Sequence, residues 1–172
     1  AEALATGPAF WFRTNPRPGN GLSRFWVVGD SGYQYVAPIT LFNNHMATSA
    51  AAGLRTDGFI MLGDNAYDIG TESQIQTAVF NRYASMLRNT PLWCAFGNHD
   101  GYAVPHPYSA TTPHDLVYSF PAAGESGGVP SGSQRYYSFD HGDIHFICID
   151  SFTPANAGDA PGGTYGMVDW LE

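Results

Sequence analysis

Three apolar runs of strand length each end on polar punctuation. SRFWVVGD closes on Asp30, DGFIMLGD on Asp64 and PLWCAFGNHD on Asn98. Short, near-continuous apolar runs suit strands buried on both faces. The stretches between them read as helices. In the first, Pro38 suits a first helical turn. Phe42, Met46, Ala50 and Leu54 then recur at helical spacing, with Gly53 placed to end the helix. In the second, Thr71 and Gln74 have the spacing of a capping box. Ile75, Val79, Tyr83 and Met86 follow as an apolar stripe, with Leu87 alongside. The order β-α-β-α-β predicts an α/β fold, a parallel sheet covered by helices.

Beyond this repeat the pattern changes. Gly101 to Arg135 is rich in Pro, Gly and Ser and reads as one long irregular excursion. RYYSFD and DIHFICID, separated by His141-Gly142, predict an antiparallel hairpin. Residues 153–166 are again Gly- and Pro-rich, and GMVDWLE reads as the opening turns of a helix.

The 172 residues suit one domain of ordinary size. With 15% aromatic and 13% charged residues, the chain can bury a core. Its formal charge of −8 argues against a generic nucleic-acid partner. No apolar run is long enough for a membrane-spanning helix. Cys94 and Cys148 sit in apolar runs and read as buried thiols, with a disulfide between adjacent strands as the alternative. The start at Ala1 shows no signal-peptide pattern and reads as a processed or excised end.

The chemistry concentrates at the strand ends, as Gly29-Asp30-Ser31-Gly32, Gly63-Asp64-Asn65-Ala66-Tyr67-Asp68 and Gly97-Asn98-His99-Asp100. Ligands of open α/β sheets bind at the carboxyl ends of strands, where adjacent strands would bring these groups together. Two carboxylates, a phenol, an amide oxygen and an imidazole would converge. Such hard donors suit Fe, Mn, Mg or Zn. One Gly-Asp pair alone would be an ordinary turn; three in order are not.

The series GDSG, GDNAYD and GNHD resembles the first three signature blocks of the calcineurin-like metallophosphoesterases. Tyr67, three residues after Asp64, resembles the purple acid phosphatase branch, whose second block is GDxxY. YYSFDHGDIHFICIDS resembles the strand pair that follows the third block. The likeness runs from residue 23 to 172. Residues 1–22, through FWFRTNPRPG, resemble the tail of a preceding fibronectin-type β domain or a linker.

The resemblance implies roles residue by residue. Asp30 and Tyr67 would bind a ferric ion, Asp64 would bridge two metals, and Asn98 would bind the second, a Zn, Mn or Fe. His99 would be catalytic, facing the substrate to stabilise phosphoryl charge or protonate the leaving alkoxide. The implied reaction is hydrolysis of a phosphate monoester by metal-bound hydroxide, with no covalent intermediate. The alternatives are a phosphodiesterase of the same superfamily and a non-catalytic metal-binding or interaction module. Family habit implies a secreted or periplasmic protein.

Two family blocks that supply three further His ligands are not found. Of His45, His99, His106, His114, His141 and His145, only His99 lies in a signature block. His45 reads as helical, His106 and His114 as surface loop positions, and His145 as a core or sheet residue. The fold is therefore expected to be the first half of the metallophosphoesterase domain plus the following strands, apparently incomplete. A second polypeptide segment would bring the missing ligands.

Overall fold

The computed structural model describes residues 7, 10–19, 21–33, 36–105, 111–152 and 164–172. Strand β1 (Phe25–Val28) leads to helix α1 (Val36–Ala51) and strand β2 (Gly58–Met61). An interrupted helix follows, made of α2 (Glu72–Ile75), a π-helical stretch (Gln76–Asn81) and α3 (Ala84–Leu87). Next come β3 (Leu92–Cys94), α4 (Asn98–Gly101) and α5 (Pro113–Val117). The hairpin β4 (Tyr137–His141) and β5 (Ile144–Cys148) precedes α6 (Thr164–Leu171). Strands β1, β2 and β3 pair in parallel in that order, with Val27 opposite Ile60 and Ile60 opposite Trp93. The β-α-β-α-β reading holds.

The sheet's alternation decides which residues meet which layer. Phe59 and Met61 point to the helices, where Tyr83 stands edge-on to both Phe42 (5.0 Å) and Phe59 (4.9 Å). Fully burying Phe59 contributes roughly 1.5–3 kcal/mol. On the other face, Phe139 stacks on Trp93 at 3.7 Å and Phe146 meets Phe25 at 5.0 Å. The hairpin thus covers the second face of the sheet.

Local signals are obeyed closely. Thr71 Oγ1 accepts from Gln74 N–H, and Gln74 Oε1 accepts from Thr71 N–H at 3.0 Å, which completes the capping box. At the end of α1, Gly53 has φ +64, Leu54 N–H donates to Ser49 O and Gly53 N–H to Ala50 O. This is the Schellman closure for which glycine is favoured.

Several expectations need correction. Of the expected stripe, Phe42 is buried and Met46 half-buried on α1, while Ala50 is exposed and Leu54, also exposed, lies beyond the helix end. The third strand stops at Cys94, and Asn98 opens a helical turn instead of ending the strand. The excursion from Gly101 to Arg135 contains α5, started by Thr112 in a capping box with Asp115 and by Pro113. β4 runs on through His141, and the hairpin turns at Gly142-Asp143. The thiol reading holds and the disulfide alternative does not: both cysteines are free, Cys94 buried and Cys148 partly so.

The histidines are redistributed as well. His45 lies on α1, stacks on Trp26 at 4.6 Å and shares a hydrogen bond with Thr56 Oγ1. His145 is on β5 but exposed, paired with Asp140 Oδ1 at 2.6 Å, so it has no core role. His106 lies outside the described residues. His114, expected at the surface, is 1% exposed in a cage of Phe96, Tyr118 and Phe120. Neither ring nitrogen has a protein partner. The α5 turn drives it inward, while Asp115 next door is held by Arg135 Nη2 at 2.7 Å.

Burial pushes the His114 imidazole down to about 4, with Asp115 pulling up and Arg135 down. The folded value lies below the unfolded one, so the neutral ring's stability is present above about pH 6.5 and lost as pH falls towards 4. The expected loss is about 3 kcal/mol. Urea unfolding across pH 4–7 should show it, and His114→Phe should flatten that slope.

Candidate metal centre

The three signatures converge at the carboxyl ends of β1, β2 and β3. Asp30 and Asp64 follow β1 and β2 with φ of +52° and +53°, left-handed values uncommon outside glycine and better tolerated by Asp than by most residues. Such strain persists where the surroundings over-determine it, and it clusters at functional sites. Here the loops lock one another. Asp30 N–H donates to Gly63 O at 3.2 Å and Gly32 N–H to Asp64 O at 3.1 Å. A Cβ on Gly97 would collide with the Asp64 backbone nitrogen, so only glycine lets the third strand end approach the second.

The result is a tight group of oxygens. Tyr67 Oη lies 2.6 Å from Asp30 Oδ1 and 2.7 Å from Asp64 Oδ2, and its single proton can be donated to only one of them at a time. Burial, and then the hydrogen bonds to Asp30 and Asp64, push the phenol above its ordinary range. Asp64 Oδ1 accepts from the His99 backbone N–H at 3.0 Å. Asn98 Nδ2 donates to Tyr102 Oη at 2.9 Å, which leaves the amide oxygen as a donor to a cation. Asp30, Asp64 and Asn98 line one open cleft of about 340 Å³, together with Phe96, Ser151 and Phe152.

The His99 ring lies 4.0 Å from that of Tyr67. Its Nδ1 is 2.6 Å from Asp68 O, and a carbonyl can only accept, so Nδ1 carries the proton. Nε2 remains as the ring atom able to give or take one.

Asp100, the last residue of the third signature, is the member to which sequence reasoning assigned no role. It is fully buried and accepts from Asn65 N–H (3.0 Å), Asn65 Nδ2 (2.8 Å) and Gly97 N–H (3.0 Å). It therefore clamps the second loop to the third. Burial pushes its carboxyl up to about 7 against the pull of the Gly97, Asn65 and Ala66 N–H groups. Its position in GNHD was the available signal. Ser151 and Phe152 were also missed; they reach the cleft because β5 ends beside it.

Residues 23–172 match the Calcineurin-like phosphoesterase family. The chain belongs to that family. A comparison with curated proteins gave no significant match. Membership makes the phosphoesterase a metal-dependent hydrolase of phosphoesters, of a family that uses divalent metal ions, generally in pairs. The donor set fits such cations: two carboxylate groups and a phenolic oxygen that crowd one another without a positive charge between them. Among the described residues of the phosphoesterase, no group of three or more His, Cys, Asp or Glu side chains is placed to hold a metal. None of its described helices is long and apolar enough to cross a membrane.

Proposed function

We propose that the chain hydrolyses phosphate monoesters at a binuclear centre of the purple acid phosphatase kind, Fe(III) paired with Zn, Mn or Fe. The observation that supports this best is Tyr67 Oη wedged between Asp30 and Asp64. A phenolate is a hard, strongly donating ligand suited to a ferric ion, and Tyr67 is placed to become one once a cation replaces its proton. When bound, the two cations acidify water and neutralise charge on the phosphoryl group. Asp30 and Tyr67 would hold the first ion, Asp64 would be shared by both, and Asn98 would offer its amide oxygen to the second. His99, its Nδ1–H donating to Asp68 O, would as the doubly protonated imidazolium pass the Nε2 proton to the departing oxygen.

Two carboxylates, a phenol and an amide leave a pair of cations short of ligands. We infer that a further polypeptide segment carrying histidines completes the site. An apolar groove lined by Ile60, Leu62, Ile147 and Ile149 supports this. Leu62 lines the groove and the cleft alike, so a segment lying in the groove reaches the cleft. The short ligand set also favours a second reading, a metal-binding module without turnover.

The test is addition of Fe(III) and Zn(II) with an aryl phosphate monoester, with and without the completing segment. A visible charge-transfer band, absent in Tyr67→Phe, together with release of phosphate, is expected. Faster cleavage of the matching diester would favour a phosphodiesterase. A completed, metal-loaded complex without turnover would favour the non-catalytic module.

A further inference from the structure

The Asp30 loop is gripped by a residue outside all three signatures. Arg82 follows the π-helical stretch Gln76–Asn81 and is half-buried. Its Nη1 donates to Ser31 O and, at 3.2 Å, to Tyr33 O, across about fifty residues of chain. Those carbonyls bracket Gly32, in the turn that carries the chain away from Asp30. Ser31 is itself buried, and its hydroxyl has no protein partner, so the turn is not held by that side chain.

We propose that Arg82 is a positioning residue for the first cation site, fixing the loop that presents Asp30 and so setting how tightly a cation is held. The role rests on the reading of Asp30 as a ligand. Asp30 keeps a left-handed backbone, which a free loop would relax. Two backbone bonds tie the loop to β2's exit, Asp30 N–H to Gly63 O and Gly32 N–H to Asp64 O. Neither of those bonds uses the Ser31 or Tyr33 carbonyl, and it is Arg82 that donates to both. A single guanidinium nitrogen, Nη1, carries two N–H groups and serves both carbonyls, and the planar group it belongs to is more rigid than an ammonium on a flexible stem. The π-helical turn belongs to the same device. Such turns are rare and often lie beside functional sites, and this one ends immediately before Arg82. The core stripe of Val79, Tyr83 and Met86 stays buried while Arg82 reaches the loop.

Outer partners of metal ligands typically shift metal affinity by about 10–100-fold. The experiment compares the chain with Arg82→Met, Arg82→Lys and Asp30→Asn. Mn2+ binding is read by electron paramagnetic resonance, amide exchange at Asp30 and Gly32 is followed without metal, and urea midpoints report folding. Arg82→Met should bind Mn2+ about tenfold more weakly per folded molecule. Its Asp30 and Gly32 amides should exchange faster, and Arg82→Lys should recover part of both losses. Unchanged exchange, or unchanged affinity with only a lower urea midpoint, overturns the proposal. Equal Mn2+ binding by the parent chain and Asp30→Asn overturns the metal reading itself and the affinity role given to Arg82. In that case, faster Asp30 exchange in Arg82→Met would still show that the arginine holds the loop.

Discussion

Replacing Asp64 with Asn should reduce phosphate release by about a thousandfold or more and weaken binding of both cations by over about a hundredfold. Asn is the informative substitution because it tolerates the left-handed backbone at this position nearly as well as Asp. The fold should survive, and the loss can be assigned to chemistry. Asp64 uses both oxygens: Oδ1 accepts from His99 N–H and Oδ2 meets Tyr67 Oη. An amide keeps one acceptor and turns an N–H2 group to the other side. It also removes the negative charge with which Asp64 would attract cations. Calorimetric metal titration and a phosphate-release assay would measure the two effects. Metal affinity within about threefold of the parent would show that Asp64 is not a ligand.

The second large effect is on stability, and it lies at a residue that touches no cation. Asp100→Asn should destabilise the fold by about 3 kcal/mol or more, since charge-assisted hydrogen bonds contribute about 1.5–3 kcal/mol and buried unpaired donors cost about 1–3 kcal/mol each. The carboxylate is ringed by N–H donors from Asn65, Ala66 and Gly97, and an amide would face one of them with another N–H. For a domain of this size, 3 kcal/mol lowers the melting temperature by roughly 6–12 °C. The melt belongs at pH 8, above the value of about 7 to which burial pushes this carboxyl, so that the ionised form is compared. A change below about 2 °C would show the clamp to be dispensable. Loss of the clamp should also weaken metal binding, because Asn65 and Gly97 adjoin Asp64 and Asn98.

Legibility in the sequence followed the range of the interaction. The Thr71–Gln74 box and the Gly53 helix end depend on neighbours a few residues away and match the sequence reading, while the hairpin turn lies one residue later than that reading, at Gly142-Asp143. The strand-ending motifs placed Asp30, Asp64, Tyr67, Asn98 and His99 together, because parallel strands put equivalent ends side by side. A loop position in the sequence suggests the surface for His114, whereas its cage is assembled from Phe96, Tyr118 and Phe120, and only packing brings Phe96 to it. Ala50 stands on the helix but is exposed, and Leu54 falls past the Gly53 closure and is exposed too. Arg82 carried no local signal at all.

The order of the strands, the parallel sheet and the donor types at its edge were thus determined by the chain's own pattern, through apolar periodicity and glycine punctuation. The tertiary structure alone decided which oxygens come within hydrogen-bond reach of one another. It also decided that Asp100 clamps the loops while Asp30 and Asp64 line the cleft, and which arginine grips the Asp30 loop. Those outcomes depend on side chains meeting across tens of residues, and the free energy of such contacts exists only after the layers have packed.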